Sequence, residues 1–212
     1  MMANVIAAIE ALADAVIANK ERLTELDAVI GDADHGINMA RGFEAVRGKL
    51  AAANPADIGG ALKMIGMTLI STVGGASGPL YGTAFMRAAA AVQGKTTIDA
   101  ETAATMLNAV IGGVKDRGKA VRGEKTMLDA LEPAYEAFVE QLNQGQSLLV
   151  CLEAATAAAE QGVEYTKTII ATKGRASYLG ERSIGHQDAG ATSSYLMLSV
   201  LTDFARQHSQ EA

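Results

Sequence analysis

The sequence predicts an all-α protein, an eight-helix antiparallel barrel or bundle whose chemically specialised residues gather in the loops at one end. Three observations predict it. Apolar residues recur at helical spacing along nearly the whole chain; the period-two alternation of a strand is absent over any useful length; and only Pro55, Pro79 and Pro133 interrupt the 212 residues. Val5, Ile9, Leu12 and Val16 step by four, three and four, and Leu23 and Leu26 continue near the same face. Residues 4–26 therefore read as one amphipathic helix. A second helix follows at 37–53, and Ile58, Leu62, Ile65, Leu69 and Val73 repeat the pattern over 58–73 behind a capping Asp57. Further helices are expected at 79–93, 99–117, 126–143, 147–172 and 190–207, with Asp99 and Ser147 placed to cap two of them.

Apolar residues are 49% of the chain but aromatics only 4%, so the core must be built from Ala, Leu, Ile, Val and Met. Small side chains of this kind let helices approach closely. A net charge of -6 excludes a broad nucleic-acid surface, because affinity for that backbone comes from clustered Lys and Arg. No long uninterrupted apolar run occurs, and the start lacks the basic segment and cleavage site of a secretory leader, so a cytoplasmic protein is expected. Residues 1–212 are read as one domain. The lone Cys151 lies in the apolar run 148–152 and reads as an inert buried thiol.

Glycines cluster between the helices: Gly31 and Gly36; Gly74, Gly75 and Gly78; Gly118 and Gly123; Gly174, Gly180, Gly185 and Gly190. Two expected helices separate each of these four loops from the next. In an up-and-down arrangement alternate connections share an end, so all four loops can meet.

The first loop places Asp27, Asp32 and Asp34 within eight residues. Carboxylates packed together repel unless a cation holds them, and an all-oxygen donor set suits a hard ion such as Mg²⁺, which also takes phosphate oxygens. On a continuous helix Asp32 and Asp34 would diverge, so shared ligation needs a turn, for which the flanking glycines are the candidates. A calcium loop of the EF-hand type is excluded, since counting from Asp32 puts Ile37 and Phe43 where glycine and glutamate are required. The alternative is an exposed acidic turn that favours the dipole of the helix following it.

The second loop, Gly74-Gly75-Ala76-Ser77-Gly78-Pro79, opens a helix whose free amides would welcome a phosphate; close helix packing would equally demand its glycines. The third, residues 118–126, has the glycine spacing of a Walker A loop, but Glu124 displaces the lysine to Lys125 and a helix, not a strand, precedes it. Its basic residues face either phosphates or solvent. The fourth loop, 173–190, has no helical period of its own, and connections of that length are commonly functional. In it Arg175 and Arg182 are candidate polyphosphate clamps, Asp188 to Gly190 a cap or a ribose contact, and His186 either a general base or a hydrogen-bonded structural histidine.

Taken in order, Gly31-Asp32-Ala33-Asp34-His35-Gly36, Gly74-Gly75-Ala76-Ser77-Gly78-Pro79, Gly123-Glu124-Lys125-Thr126-Met127 and residues 174–182 closely resemble the dihydroxyacetone kinase L family. The resemblance covers nearly the whole chain and implies an eight-helix barrel that binds ADP through two Mg²⁺ ions at one end. By motif it makes Asp27, Asp32 and Asp34 the magnesium ligands, and has His35, Gly36, Ile37 and Asn38 line the nucleotide. It has Ala76 and Ser77 hold phosphate, Gly118 and Met127 contact the nucleotide, Arg175 reach the phosphates as the catalytic cation, and Asp188, Ala189 and Gly190 close the site. Glu124, where Asp is more usual, and Ala189, where some members carry Pro, depart from the pattern without touching the three carboxylates.

The resemblance further implies that retained ADP takes a phosphoryl group from a phosphohistidine of an M subunit and passes it to dihydroxyacetone held by a K subunit. Phosphoryl transfer needs positioning and charge neutralisation more than a protein nucleophile, consistent with the lack of a convincing nucleophile and base pair in the sequence. Two rivals share these motifs: a subunit of an ATP-dependent ketose or tetrose kinase, and a nucleotide-sensing protein without turnover. Standing alone at 212 residues favours the subunit reading over the first, and the retained aspartates with Arg175 favour chemistry over the second.

Overall fold

The first amphipathic stretch folds as two helices rather than one: α1 (Met2–Ala18) and α2 (Lys20–Ile30) meet at a 54° bend. Asn19 is the cause. Its side-chain amide donates to the Ala15 carbonyl at 2.9 Å, and its backbone sits outside helical geometry at ψ 14. Asn competes locally with the helix for backbone partners, which apolar periodicity alone does not register. In this computed structural model, residues 2–53 and 55–208 are described; Met1, Asn54 and residues 209–212, which the single-domain reading of 1–212 also spans, lie outside them.

After the bend come α3 (His35–Ala52), α4 (Ile58–Thr72), α5 (Ser77–Ala91), α6 (Ala100–Gly118), α7 (Leu128–Asn143), α8 (Leu148–Thr166) and α9 (Ala189–His208). No strand occurs among the described residues. Asp57, Asp99 and Ser147 cap α4, α6 and α8 with their side-chain oxygens, as expected from sequence. Consecutive helices pack against one another from α3 to α9, and α9 returns to pack on α1, closing the ring.

Two expectations fail around the fourth loop. The helix expected over 147–172 stops at Thr166, because the Lys125 ammonium captures the carbonyls of Thr166 at 2.5 Å and Ile169 at 3.4 Å. A cation satisfying the last carbonyls of a helix is a favourable terminus. The loop beyond it was expected to lack helix, yet Arg175–Ser183 forms a 3-10 segment kinked at Gly180 (φ 56). Short 3-10 turns carry no apolar period.

Among the described residues, one apolar cluster draws on every α-helix except α2, with Phe43 and Phe138 as its largest fully buried members among Leu, Ile, Val, Met and Ala. Close approach replaces bulk: a Cβ on Gly162 of α8 would lie 2.1 Å from the Asp129 carbonyl of α7. Cys151 is fully buried in this cluster, and burial pushes its thiol pKa up, as expected of an inert thiol. A second, small cluster of Ile30, Ala171 and Ala176, with Leu179 against it, seats the 3-10 segment on the C-terminal end of α2.

No single described helix is long and apolar enough to cross a membrane; the bent pair α1 and α2 reaches that length and apolarity only together.

Candidate functional site

The α2–α3 connection turns at Ala33, whose φ of 59 places an alanine in the left-handed region. The sequence suggested that flanking glycines permit this turn, but their role is space. A Cβ on Gly31 would lie 2.0 Å from Asp27 Oδ1, and one on Gly36 would lie 2.0 Å from the Lys20 carbonyl of α2. The absent side chains let α3 start directly against α2. The Asp34 and His35 amides donate to Asp27 Oδ2 at 2.9 and 3.2 Å. That link folds the loop back over the helix it left.

The turn brings one carboxylate oxygen of each of Asp27, Asp32 and Asp34 to within 4.8 Å of one another. Asp34 is half-buried, and its pKa is raised by that burial and then by the charge of Asp32, with an Asn38 hydrogen bond opposing. A raised carboxyl beside two others signals a site whose negative charge is under-compensated by protein groups. The donor set, three hard oxygens with room between them, fits a divalent cation such as Mg²⁺. Arg175 approaches the same cluster, its Nε 3.1 Å from Asp32 Oδ2, while 69% of its side chain stays exposed. The small α2 cluster under the 3-10 segment puts it there.

Asn38, one turn into α3, is buried, and its Oδ1 accepts from Arg41 at 2.6 Å. Arg41 is itself tied to the Thr72 carbonyl at 2.9 Å. That fixes the amide so that its nitrogen serves the acidic side.

The second loop meets the first through His35, whose Nδ1 lies 3.0 Å from Ser77 Oγ in the first turn of α5. His35 is buried at 7% exposure, and that burial pushes its pKa down to about 4 against the opposing charge of Asp27. This Ser–His contact is a nucleophile and base pair in geometry only, since so weak a base does not activate a hydroxyl at neutral pH. Ala76 is exposed just ahead of Ser77, and Ile37 is 45% exposed beside His35.

The third loop is held from within. Both oxygens of the fully buried Asp129 accept backbone amides, from Gly123 at 2.5 Å and Thr126 at 2.7 Å. Lys125 is 1% exposed, and its ammonium also reaches the His186 carbonyl at 2.6 Å. Burial lowers its pKa against the pull of Asp188 and Asp129. Of the two possibilities open for the basic residues of this loop, Lys125 takes neither: it ties the third loop to the fourth. Glu124 does the same, its Oε1 accepting from Thr172 Oγ1 at 3.2 Å. Gly118 ends α6 with a Cβ position 3.1 Å from Leu80 of α5, and Met127 is buried beside Gly190, 3.7 Å from that glycine's Cβ position.

Asp188, Ala189 and Gly190 open α9. Asp188 Oδ2 accepts the Ala191 amide at 2.7 Å. Although the residue keeps some exposed surface, dense packing around its carboxyl pushes the pKa up to about 7, the charges of Asp129 and Asp27 adding to this while the Ala191 amide and Lys125 oppose it. His186 is exposed, and its backbone carbonyl accepts from Lys125 Nζ at 2.6 Å. Arg182 lies exposed beyond the Gly180 kink.

All four loops thus meet at one end of the ring, as expected. Sequence reasoning missed Arg41, Tyr81 and Ser193. Tyr81 falls one turn after Ser77, and Ser193 and Ser194 stand as adjacent hydroxyls in an apolar helix; these are the signals that mark them.

The DAK2 domain profile matches residues 29–203. The chain belongs to the DAK2 domain family. Within that family it is 52% identical over 187 residues to the PEP-dependent dihydroxyacetone kinase ADP-binding subunit DhaL of Escherichia coli (strain K12), covering 88% of this chain and 89% of the relative. It is 42% identical over 185 residues to the PTS-dependent dihydroxyacetone kinase ADP-binding subunit DhaL of Lactococcus lactis subsp. lactis (strain IL1403), covering 87% and 88%. The crystal structure of the dihydroxyacetone kinase of C. freundii superposes with a TM-score of 0.74 at 26% identity, over 95% of this chain and 34% of that longer one.

Proposed function

We propose that this chain is the ADP-binding phosphotransfer subunit of dihydroxyacetone kinase, a phosphotransferase of the cytoplasm, with residues 1–212 as one nucleotide-binding domain. The observation that carries the proposal is the cluster of Asp27, Asp32 and Asp34, their oxygens within 4.8 Å, at the meeting point of four loops. The identity to ADP-binding subunits over most of both chains supports it. Asp27, Asp32 and Asp34 hold two Mg²⁺ ions. His35, Gly36, Ile37, Asn38, Gly118, Met127, Asp188, Ala189 and Gly190 line the ADP, and Ala76 and Ser77 hold its phosphates.

The metal supplies charge neutralisation for the phosphates and for the group in transit. Asn38, fixed by Arg41, holds Asp34 in its ligating orientation. Arg175, a catalytic residue in this reading, faces the same charge from the solvent side and stabilises it as it spreads over the transferring oxygens. With ADP bound, the site would carry a phosphoryl group from a phosphohistidine of the M subunit to a dihydroxyacetone hydroxyl held by the K subunit, and this chain's residues would bind the carrier nucleotide and neutralise its charge. The weak basicity of His35 is consistent with the base lying in the partner.

Purifying the protein without added nucleotide, denaturing it in acid and identifying what is released tests the reading. Near-stoichiometric ADP after extensive washing is expected. A site that fills and turns over only when ATP is supplied would make the chain part of an ATP-dependent ketose kinase, and binding without transfer to any ketose would make it a sensor.

A further inference from the structure

A line of hydroxyls runs from the core to Ser77. Tyr81 OH lies 2.7 Å from Ser193 Oγ, Ser193 Oγ lies 2.9 Å from His35 Nε2, and His35 Nδ1 lies 3.0 Å from Ser77 Oγ. Tyr81 and Ser193 are 4% and 0% exposed, so their bonding is settled by each other and not by water. Each hydroxyl has one proton, and a neutral imidazole has one donor and one acceptor. Two arrangements satisfy the line. In the first, Ser77 donates to Nδ1, Nε2–H donates to Ser193, and Ser193 donates to the Ala189 carbonyl 2.9 Å away. Ser77 then offers lone pairs to whatever faces it. In the second, Ser193 donates to Nε2, Nδ1–H donates to Ser77, and the Ser77 proton points outward.

A phosphate oxygen accepts and does not donate, so with a neutral ring only the second arrangement lets the Ser77 hydroxyl bind it. That arrangement leaves Ser193 without a spare proton, and Tyr81 is the group that donates into its oxygen. The Gly190 carbonyl keeps its bond from Ser194 at 2.9 Å, so Tyr81 is not needed there. All donors in the line then point the same way: Tyr81 to Ser193, Ser193 to His35, His35 to Ser77, Ser77 to phosphate.

We propose that Tyr81 and Ser193 are positioning residues that act through His35 to turn the Ser77 hydroxyl into a phosphate donor, and that nucleotide binding sets the His35 ring in its Nδ1–H tautomer. The proposal rests on Ser77 holding phosphate. It assigns a task to two buried residues 112 positions apart in the chain.

The test is ring-nitrogen NMR of ¹⁵N-histidine-labelled full-length protein, with and without MgADP, alongside ADP binding by calorimetry. His35 is expected as the Nδ1–H tautomer in the MgADP form. Ser193→Ala is expected to weaken ADP binding about 5- to 10-fold, as loss of one buried donor does. Tyr81→Phe is expected to weaken it about 3-fold while leaving His35 a mixture of tautomers. In a Ser77→Ala background neither substitution should weaken binding further. Circular dichroism verifies that each variant is folded. An Nε2–H ring or an imidazolium in the MgADP form, or losses that add to that of Ser77→Ala, would overturn the relay while leaving Ser77 as the phosphate residue. Unchanged ADP affinity in Ser77→Ala would instead remove the phosphate reading, and the relay with it.

Discussion

Replacing Lys125 with Met separates a lysine that builds the loops from one that binds phosphate. Its ammonium donates to the Thr166 carbonyl at 2.5 Å and the His186 carbonyl at 2.6 Å, with the Ile169 carbonyl at 3.4 Å. At 1% exposure no water replaces it. Met keeps the apolar stem and removes the charge, leaving the buried Thr166 carbonyl and the part-buried His186 carbonyl without their donor, at about 1–3 kcal/mol each with the second toward the lower end. Relief of the buried ammonium, whose lowered pKa already records its desolvation, returns part of this. The left-handed backbone at φ 62 is common to both proteins and cancels. A net loss of about 3 kcal/mol follows, which in a chain of this size lowers the melting temperature by roughly 6–12 °C. Thermal unfolding of nucleotide-free protein by circular dichroism measures it. Wild-type stability combined with a tenfold or greater loss of ADP affinity would refute the reasoning and return Lys125 to the phosphates.

Three further outcomes are expected. Gly36→Ala drives a methyl to 2.0 Å from the Lys20 carbonyl, so α2 and α3 must part, costing about 3 kcal/mol and loosening Asp27 from its partners; unchanged stability in urea unfolding would contradict the packing. Asp32→Ala removes the charge that helps raise the Asp34 pKa, and should leave the helical fold intact while abolishing Mg²⁺-dependent nucleotide retention; a washed variant that keeps its nucleotide and full transfer activity would overturn the metal assignment. Asp188 has a pKa of about 7 in the fold against about 4 when unfolded, so the native state binds the extra proton in that interval. Its contribution is therefore greatest below pH 4 and is lost as pH rises to 7. Urea midpoints of ligand-free Asp188→Asn should fall less than wild type across that window, and equal slopes would exclude Asp188 as the source.

The helical class and the convergence of the loops were legible because both are written in long patterns: apolar period for the first, glycine clusters at two-helix intervals for the second. The three aspartates were legible because carboxylates crowd together in sequence as well as in space. What escaped was set by single side chains acting over distance. Asn19 bends the first helix through its own amide, and Lys125 ends α8 from 41 positions away. The turn at Ala33 escaped because alanine does not advertise a left-handed φ, so the neighbouring glycines drew the attention although their task is to leave room. The His35–Ser193 contact spans 158 positions, and no local period encodes it.

The closing of α9 on α1 has a consequence for how the protein comes into being. Ser193, Gly190 and Asp188 belong to the last helix of the ring or the residue before it, whereas the aspartates and His35 belong to its beginning. A chain emerging from the ribosome therefore has its acidic cluster long before it has the wall opposite. Contacts between such distant segments are slow to form, because the intervening chain must be ordered first. If α9 lines the nucleotide as proposed, capture would wait until the circle is complete, and ligand retention would report that the ring has closed.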